Sequence, residues 1–172
     1  MKPDLQKLKT VEDFYAHAIG LEHEFEERLT DLGGCLDAHN NPDSAMVFRK
    51  ALDMHSERVR QLEAMSEGLQ LPRVAPWDYA WHYTVNLEII CMASVHYLMT
   101  PLEALEMVEE KLAMAHDFYK AVKERYQGSP LGEAARNALA GFDQELQAFR
   151  RWHEALEASV VPEDHDPPNQ PL

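Results

Sequence analysis

Three side chains in this sequence sit where a charge is hardest to keep: Glu22, His55 and Arg58. From Val11 onward, Val11, Tyr15, Ala18, Glu22, Phe25, Leu29, Leu32 and Leu36 step by four and three, which is one face of a helix, and Glu22 is its polar member. The same stepping recurs through Ala45, Phe48, Leu52, His55, Val59, Leu62 and Ser66, with His55 central and Arg58 on the shoulder of that face. A carboxylate and an imidazole on facing helices can share a metal ion. A carboxylate facing a guanidinium can instead form a buried ion pair through two parallel hydrogen bonds. An isolated buried carboxylate is costly, so Glu22 must be paired or protonated. Two arrangements are open. Either Glu22 pairs with Arg58 and His55 bonds beside them, or Arg58 reaches out to solvent and Glu22 bonds to His55, Tyr15 or Tyr119.

Four helices are expected to position these groups. The first runs from Val11 towards Leu36, weakened near its end by Gly33 and Gly34. The Asn40–Ser44 loop offers Asp43 or Ser44 as cap for a second helix from about Ala45 to Glu67, closed by Gly68. The third is the clearest: Thr100, Pro101 and Glu103 form a capping box with proline in the first turn, and Leu105, Val108, Leu112, Ala115, Tyr119 and Val122 make an uninterrupted apolar stripe. Ser129 and Pro130 open a fourth, striped by Ala135, Leu139, Phe142, Leu146, Phe149, His153 and Leu156 and expected to be apolar through its middle. Between Leu69 and Met99 the periodicity fails at Pro72 and Pro76. A link of about thirty residues is long for a loop. It suits a return along a helix on the order of 30 Å long, which makes the second and third helices parallel. A helical turn is expected after Pro76, Val85–Ile90 can be extended, and Trp77, Tyr79, Trp81 and Tyr83 are expected to pin the crossover to the bundle.

The composition narrows the functions. At 172 residues and 45% hydrophobic, the chain suits one domain over residues 1–160, with a polar, proline-rich tail at 161–172 expected to be disordered. The 30 acidic and 16 basic residues give a net charge of −14, which argues against nucleic acid or an anionic membrane as partner. No stretch combines basic residues with an apolar run long enough to target or span a bilayer, so the expected location is cytoplasmic. Cys35 and Cys91 belong to no Cys-x-x-Cys pair, and there is neither a glycine-rich phosphate loop nor a Gly-x-Ser-x-Gly elbow. His23, His116 and His153 read as solvated, cap-like or satisfied histidines, and the methionines as packing filler.

The segments FYAHAIGLEHEFEERL, FRKALDMHSERV, APWDYAW and VHYLMTPLEALE carry a resemblance that extends over Val11 to Ala158. The chain resembles the rubrerythrin-related branch of the ferritin-like superfamily, in its stand-alone bacterial form without a rubredoxin domain. That resemblance implies an all-α, ferritin-like four-helix bundle with a long crossover between helices 2 and 3. It also implies two irons held by Glu from helices 1 and 3 and by Glu-x-x-His from helices 2 and 4. Carried onto this chain, the helix-1 ligand falls on Glu22, while His55 and Arg58 take the second-helix Glu and His positions. Leu112 and Ala115 fall on the third helix, and Leu146 and Phe149 on the fourth. No histidine has an Asp or Glu three residues before it, so the di-iron motif is missing in any register.

Two functional readings follow. In the first, the bundle has lost its metals, has no cofactor and works as a scaffold or interaction protein, with Glu22, His55 and Arg58 filling the metal positions. In the second, it is a non-haem iron oxidoreductase of peroxidase or oxidase type, with Glu22 and His55 among unusual ligands. A homodimer is expected from the resemblance, with Phe14, Ile19 and Leu21 as candidate interface residues.

Overall fold

A computed structural model describes residues 3–81 and 97–159. Four helices account for most of them: α1 (Val11–Ala38), α2 (Pro42–Met65), α3 (Pro101–Arg125) and α4 (Pro130–Ser159). Each start has a local cause. Thr10 and Asp13 exchange side-chain-to-backbone bonds in a capping box, as do Thr100 and Glu103. Ser129 Oγ accepts from the Gly132 amide at 3.2 Å. The cap of α2 is Asn41, whose side chain accepts from the Ser44 amide at 3.2 Å, rather than Asp43 or Ser44. With Pro42 placed in the first turn, the helix starts three residues earlier than its apolar stripe indicates. Gly33 and Gly34 do not end α1, which continues to Ala38.

The helices form two antiparallel hairpins. Glu22 meets Arg58, Glu26 meets Ser56 and Asp37 meets Arg49, so α1 and α2 run in opposite directions. His116 with Asp143 and Glu109 with His153 show the same for α3 and α4. The hairpins are tied where α2 and α3 begin: Ser44 Oγ and Asn41 Nδ2 both donate to the Met99 carbonyl, at 2.6 and 2.7 Å. Their N-termini lie side by side, so α2 and α3 are parallel and the chain crosses the length of the bundle between them. At the opposite end, the Tyr126 hydroxyl donates to the Leu5 and Leu8 carbonyls and anchors the segment before α1.

The crossover is fixed by specific contacts. Trp81 is buried, its indole donating to the His17 carbonyl at 2.8 Å, while the Ala80 amide donates to His17 Nδ1 at 3.1 Å. Burial keeps His17 below the ordinary histidine range and so neutral enough to accept. Tyr79 stacks on Trp81 with centroids 4.6 Å apart. Pro76–Asp78 forms a single 3-10 turn. Trp77 does not share the pinning role: it is 68% exposed. Tyr83, Val85–Ile90, Cys91 and the tail at 161–172 lie outside the described residues.

Gly20 of α1 lies against the crossover, where a Cβ would lie 2.4 Å from the Tyr79 ring. Gly20→Ala is expected to displace that ring and lower unfolding stability by about 1 to 3 kcal/mol. Urea unfolding checks this, and an unchanged midpoint would mean that Tyr79 does not hold the crossover.

The candidate dimer residues need correction. Phe14 and Leu21 are fully buried within the chain, with Phe14 edge-on to Tyr119 of α3, and Ile19 is half-buried against the core. Helix α1 lies between α2 and the crossover and so buries far more than one stripe. No helix among the described residues is long and apolar enough to cross a membrane.

Candidate functional site

The bundle's centre is ionic. Glu22 comes from α1, His55 and Arg58 from α2, Tyr119 from α3 and Glu145 from α4, all of them buried. Arg58 Nη2 donates to Glu22 Oε1 at 2.8 Å, and the Tyr119 hydroxyl donates to the same oxygen. His55 Nδ1 pairs with Glu145 Oε1 at 3.0 Å. On the other edge of the ring, His55 Nε2 comes within 3.1 Å of Glu22 Oε2, close enough to pair as ions but off the line of a hydrogen bond. Arg58 Nε lies 3.6 Å from Glu145 Oε2, and its Nη1 donates to the Ala138 carbonyl at 3.3 Å. The guanidinium also lies over two rings, 3.8 Å from the Phe142 centroid and 4.8 Å from that of Tyr119.

Two carboxylates thus meet two cationic side chains, giving four formal charges that sum to zero. Burial alone would raise the Glu22 carboxyl, but Arg58 and His55 overcome it and hold Glu22 well below the usual carboxylate range. Burial would likewise lower His55; its hydrogen bond to Glu145 and the charges of Glu22 and Glu145 push it up to about 9. Burial is also outweighed at Arg58, whose hold on its proton is strengthened by Glu22. The Tyr119 phenol is raised well above its ordinary value by burial and by Glu22, and so stays a donor.

Of the residues singled out from sequence, Glu22, His55 and Arg58 lie together. Arg58 is 4% exposed and points inward, not to solvent. The fourth helix differs from expectation. Its middle is not apolar: Glu145 reaches the cluster, while Leu146 is half-buried in the groove between α3 and α4. At this turn the buried face lies one residue from the expected stripe. Ala138, Phe142, Glu145 and Phe149 step by four, three and four, and this face carries the buried carboxylate. Leu112, Ala115 and Phe149 are buried and apolar, filling space beside the cluster. His23, His116 and His153 pair with carboxylates near the surface: His23 with Glu26, His116 with Asp143 and His153 with Glu109.

The residues present do not fit a di-iron centre. A guanidinium cannot ligate a metal, and Arg58 places a permanent cation 2.8 Å from one carboxylate and 3.6 Å from the other. His55 already spans both carboxylates. Among the described residues, no three His, Cys, Asp or Glu side chains are disposed to hold a metal ion.

Two antiparallel hairpins joined by a crossover that leaves helices 2 and 3 parallel define an all-α four-helix bundle of ferritin-like connectivity. The chain is similar to the crystal structure of an uncharacterized conserved protein from Magnetospirillum magnetotacticum MS-1. The TM-score is 0.60 at 28% sequence identity, covering 86% of this chain and 95% of the other. No family model matches the chain, and no curated protein does.

Proposed function

We propose that this protein is a metal-free, ferritin-like scaffold of the rubrerythrin-related branch, in which the cations of Arg58 and His55 replace the irons and the work is done by the protein surface, as a homodimer or with another protein. The observation that carries this reading is Arg58. Its side chain is buried between Glu22 and Glu145 and stacked on Phe142, so the charge that two metals would neutralise is neutralised by the chain itself. The quoted segments of α1, α2 and the crossover support the placement in that branch. With Phe14 and Leu21 buried, a dimer must use other residues.

Elemental analysis of untagged protein produced with iron supplied tests the reading. Negligible iron is expected, before and after anaerobic iron addition. Iron at about two per chain, the stoichiometry of a bundle di-iron site, would return the protein to the non-haem iron oxidoreductases, with Glu22, His55 and Glu145 as ligands.

A further inference from the structure

Where the segment before α1 meets the crossover, a cleft of about 480 Å³ opens at His17. His17 itself is only 4% exposed. Its Nδ1 accepts from the Ala80 amide at 3.1 Å, which places the ring proton of the neutral form on Nε2. That second nitrogen has no hydrogen-bond partner among the described residues, and unlike the orphaned His55 Nε2 of the ionic cluster it is not sealed from solvent. A donor on a buried ring is thus left without an acceptor at the cleft wall. Charged side chains surround it. Lys7 is already held, its Nζ donating to the Asp78 carbonyl at 2.9 Å and lying 3.7 Å from the Asp78 carboxylate. Lys9, Arg73 and Asp4 also line the cleft, are exposed, and have no ion-pair partner among the described residues. Beyond the Lys7–Asp78 pair, two cations against one carboxylate leave the cleft a net positive charge, in a chain whose total is −14.

We propose that this cleft binds a small monocarboxylate, one of its oxygens accepting from His17 Nε2–H and its charge met by Arg73 and Lys9. The donor at the wall calls for an acceptor, and the two free cations call for a negative one. Charge sets the valence. A single carboxylate balances the net charge of the cleft, whereas a phosphate dianion would crowd Asp4 and Asp78, and a cation would meet Lys9, Arg73 and a donor. The planar fork of Arg73 suits a carboxylate. His17 serves as a neutral donor, because its Nδ1 already faces the Ala80 N–H and has no room for a second proton. The volume falls within the roughly 300 to 1,000 Å³ of small-molecule sites, and half-buried Val74 and Ala75 offer an apolar wall for the rest of the ligand. The site shares no residue with the ionic cluster.

NMR on the full chain tests this, following the His17 ring and the Ala80 amide, both assigned through sequential backbone connectivities, during titration with acetate, methyl phosphate and methylammonium. At about pH 8 methyl phosphate is a dianion. Acetate is expected to shift both signals saturably, with methyl phosphate and methylammonium weaker by about tenfold or inert. Arg73→Gln and Lys9→Gln, at exposed positions outside the packed bundle, are each expected to weaken acetate binding by about fivefold. Absence of an acetate response at His17, methyl phosphate binding as tightly as acetate, or acetate binding that neither substitution weakens would overturn the proposal. Each of these results leaves the reading of the ionic cluster untouched, since that cluster lies outside the site.

Discussion

Arg58→Met is expected to lower the unfolding free energy by about 3 to 5 kcal/mol, the usual loss when one member of a buried ion pair is removed. Methionine keeps much of the length and apolar bulk of the arginine stem, so little of the loss comes from a cavity. It comes from the charges left behind. Glu22 loses the 2.8 Å bond that helps keep it ionised, Glu145 loses its nearest guanidinium nitrogen, and the Ala138 carbonyl loses a donor. Arg58→Lys keeps the charge but not the fork or the stacking on Phe142, and is expected to recover only part of the loss. Urea unfolding at constant m-value is the measurement. Wild-type stability in Arg58→Met would show that Arg58 does not neutralise the core, and the proposal that it replaces a metal would fall with it.

The second large effect is on pH. His55 titrates at about 9 in the folded chain against 6.5 in the unfolded one. Between those values the folded state holds a proton that the unfolded state has released, so stability falls as pH rises, by about 1.4 kcal/mol per pH unit. The contribution of His55 is fully present below 6.5 and lost as pH rises through about 9, a total on the order of 3 kcal/mol. Glu22 has the opposite sign. Its carboxyl is depressed, so its contribution is present above the unfolded value of 4.5 and lost as pH falls towards the folded one. These two groups together give a plateau between those unfolded-state values and a decline on both sides, on which His17, held neutral by burial, superimposes a loss as pH falls below 6.5. His153 is also raised, by its bond to Glu109, but that pair lies near the surface where solvent screens it. In His55→Gln the alkaline decline should flatten, although the variant starts less stable. An alkaline limb equally steep with and without His55 would refute the assignment.

Much of this arrangement could be read from residue spacing, and what escaped has physical causes. Glu22 and His55 stand out because each interrupts a regular apolar stripe. Thr100 and Glu103 fix α3 because capping is a local interaction between near neighbours. Glu145 escaped because α4 buries a broad face: Ala134, Ala135, Ala138, Leu139 and Phe142 are all buried, so two stripes fit equally well. Between Gln144 and Leu146, the carboxylate reads as surface until His55 and Arg58 are placed opposite it. Asn41 escaped as a cap because the stripe of α2 begins after its first turn. The buried state of Phe14 and Leu21 depends on the crossover and on α3, which are distant in sequence and carry no local signal.

The division of the ionic cluster between the two hairpins has a consequence for how the chain finds its register. The α1–α2 hairpin contributes Glu22, His55 and Arg58, one formal charge out of balance once His55 is protonated. The α3–α4 hairpin contributes Glu145 and Tyr119. Neither half is neutral alone, and only docking at the correct height brings them into balance. A slip of one helical turn would carry Glu145 about 5.4 Å along the axis, away from His55 and Arg58 and into apolar side chains. Leucines could slide past one another at small cost, but these charges cannot. The ionic core therefore also acts as a proofreading step in assembly, discriminating against misaligned bundles that apolar packing alone would tolerate.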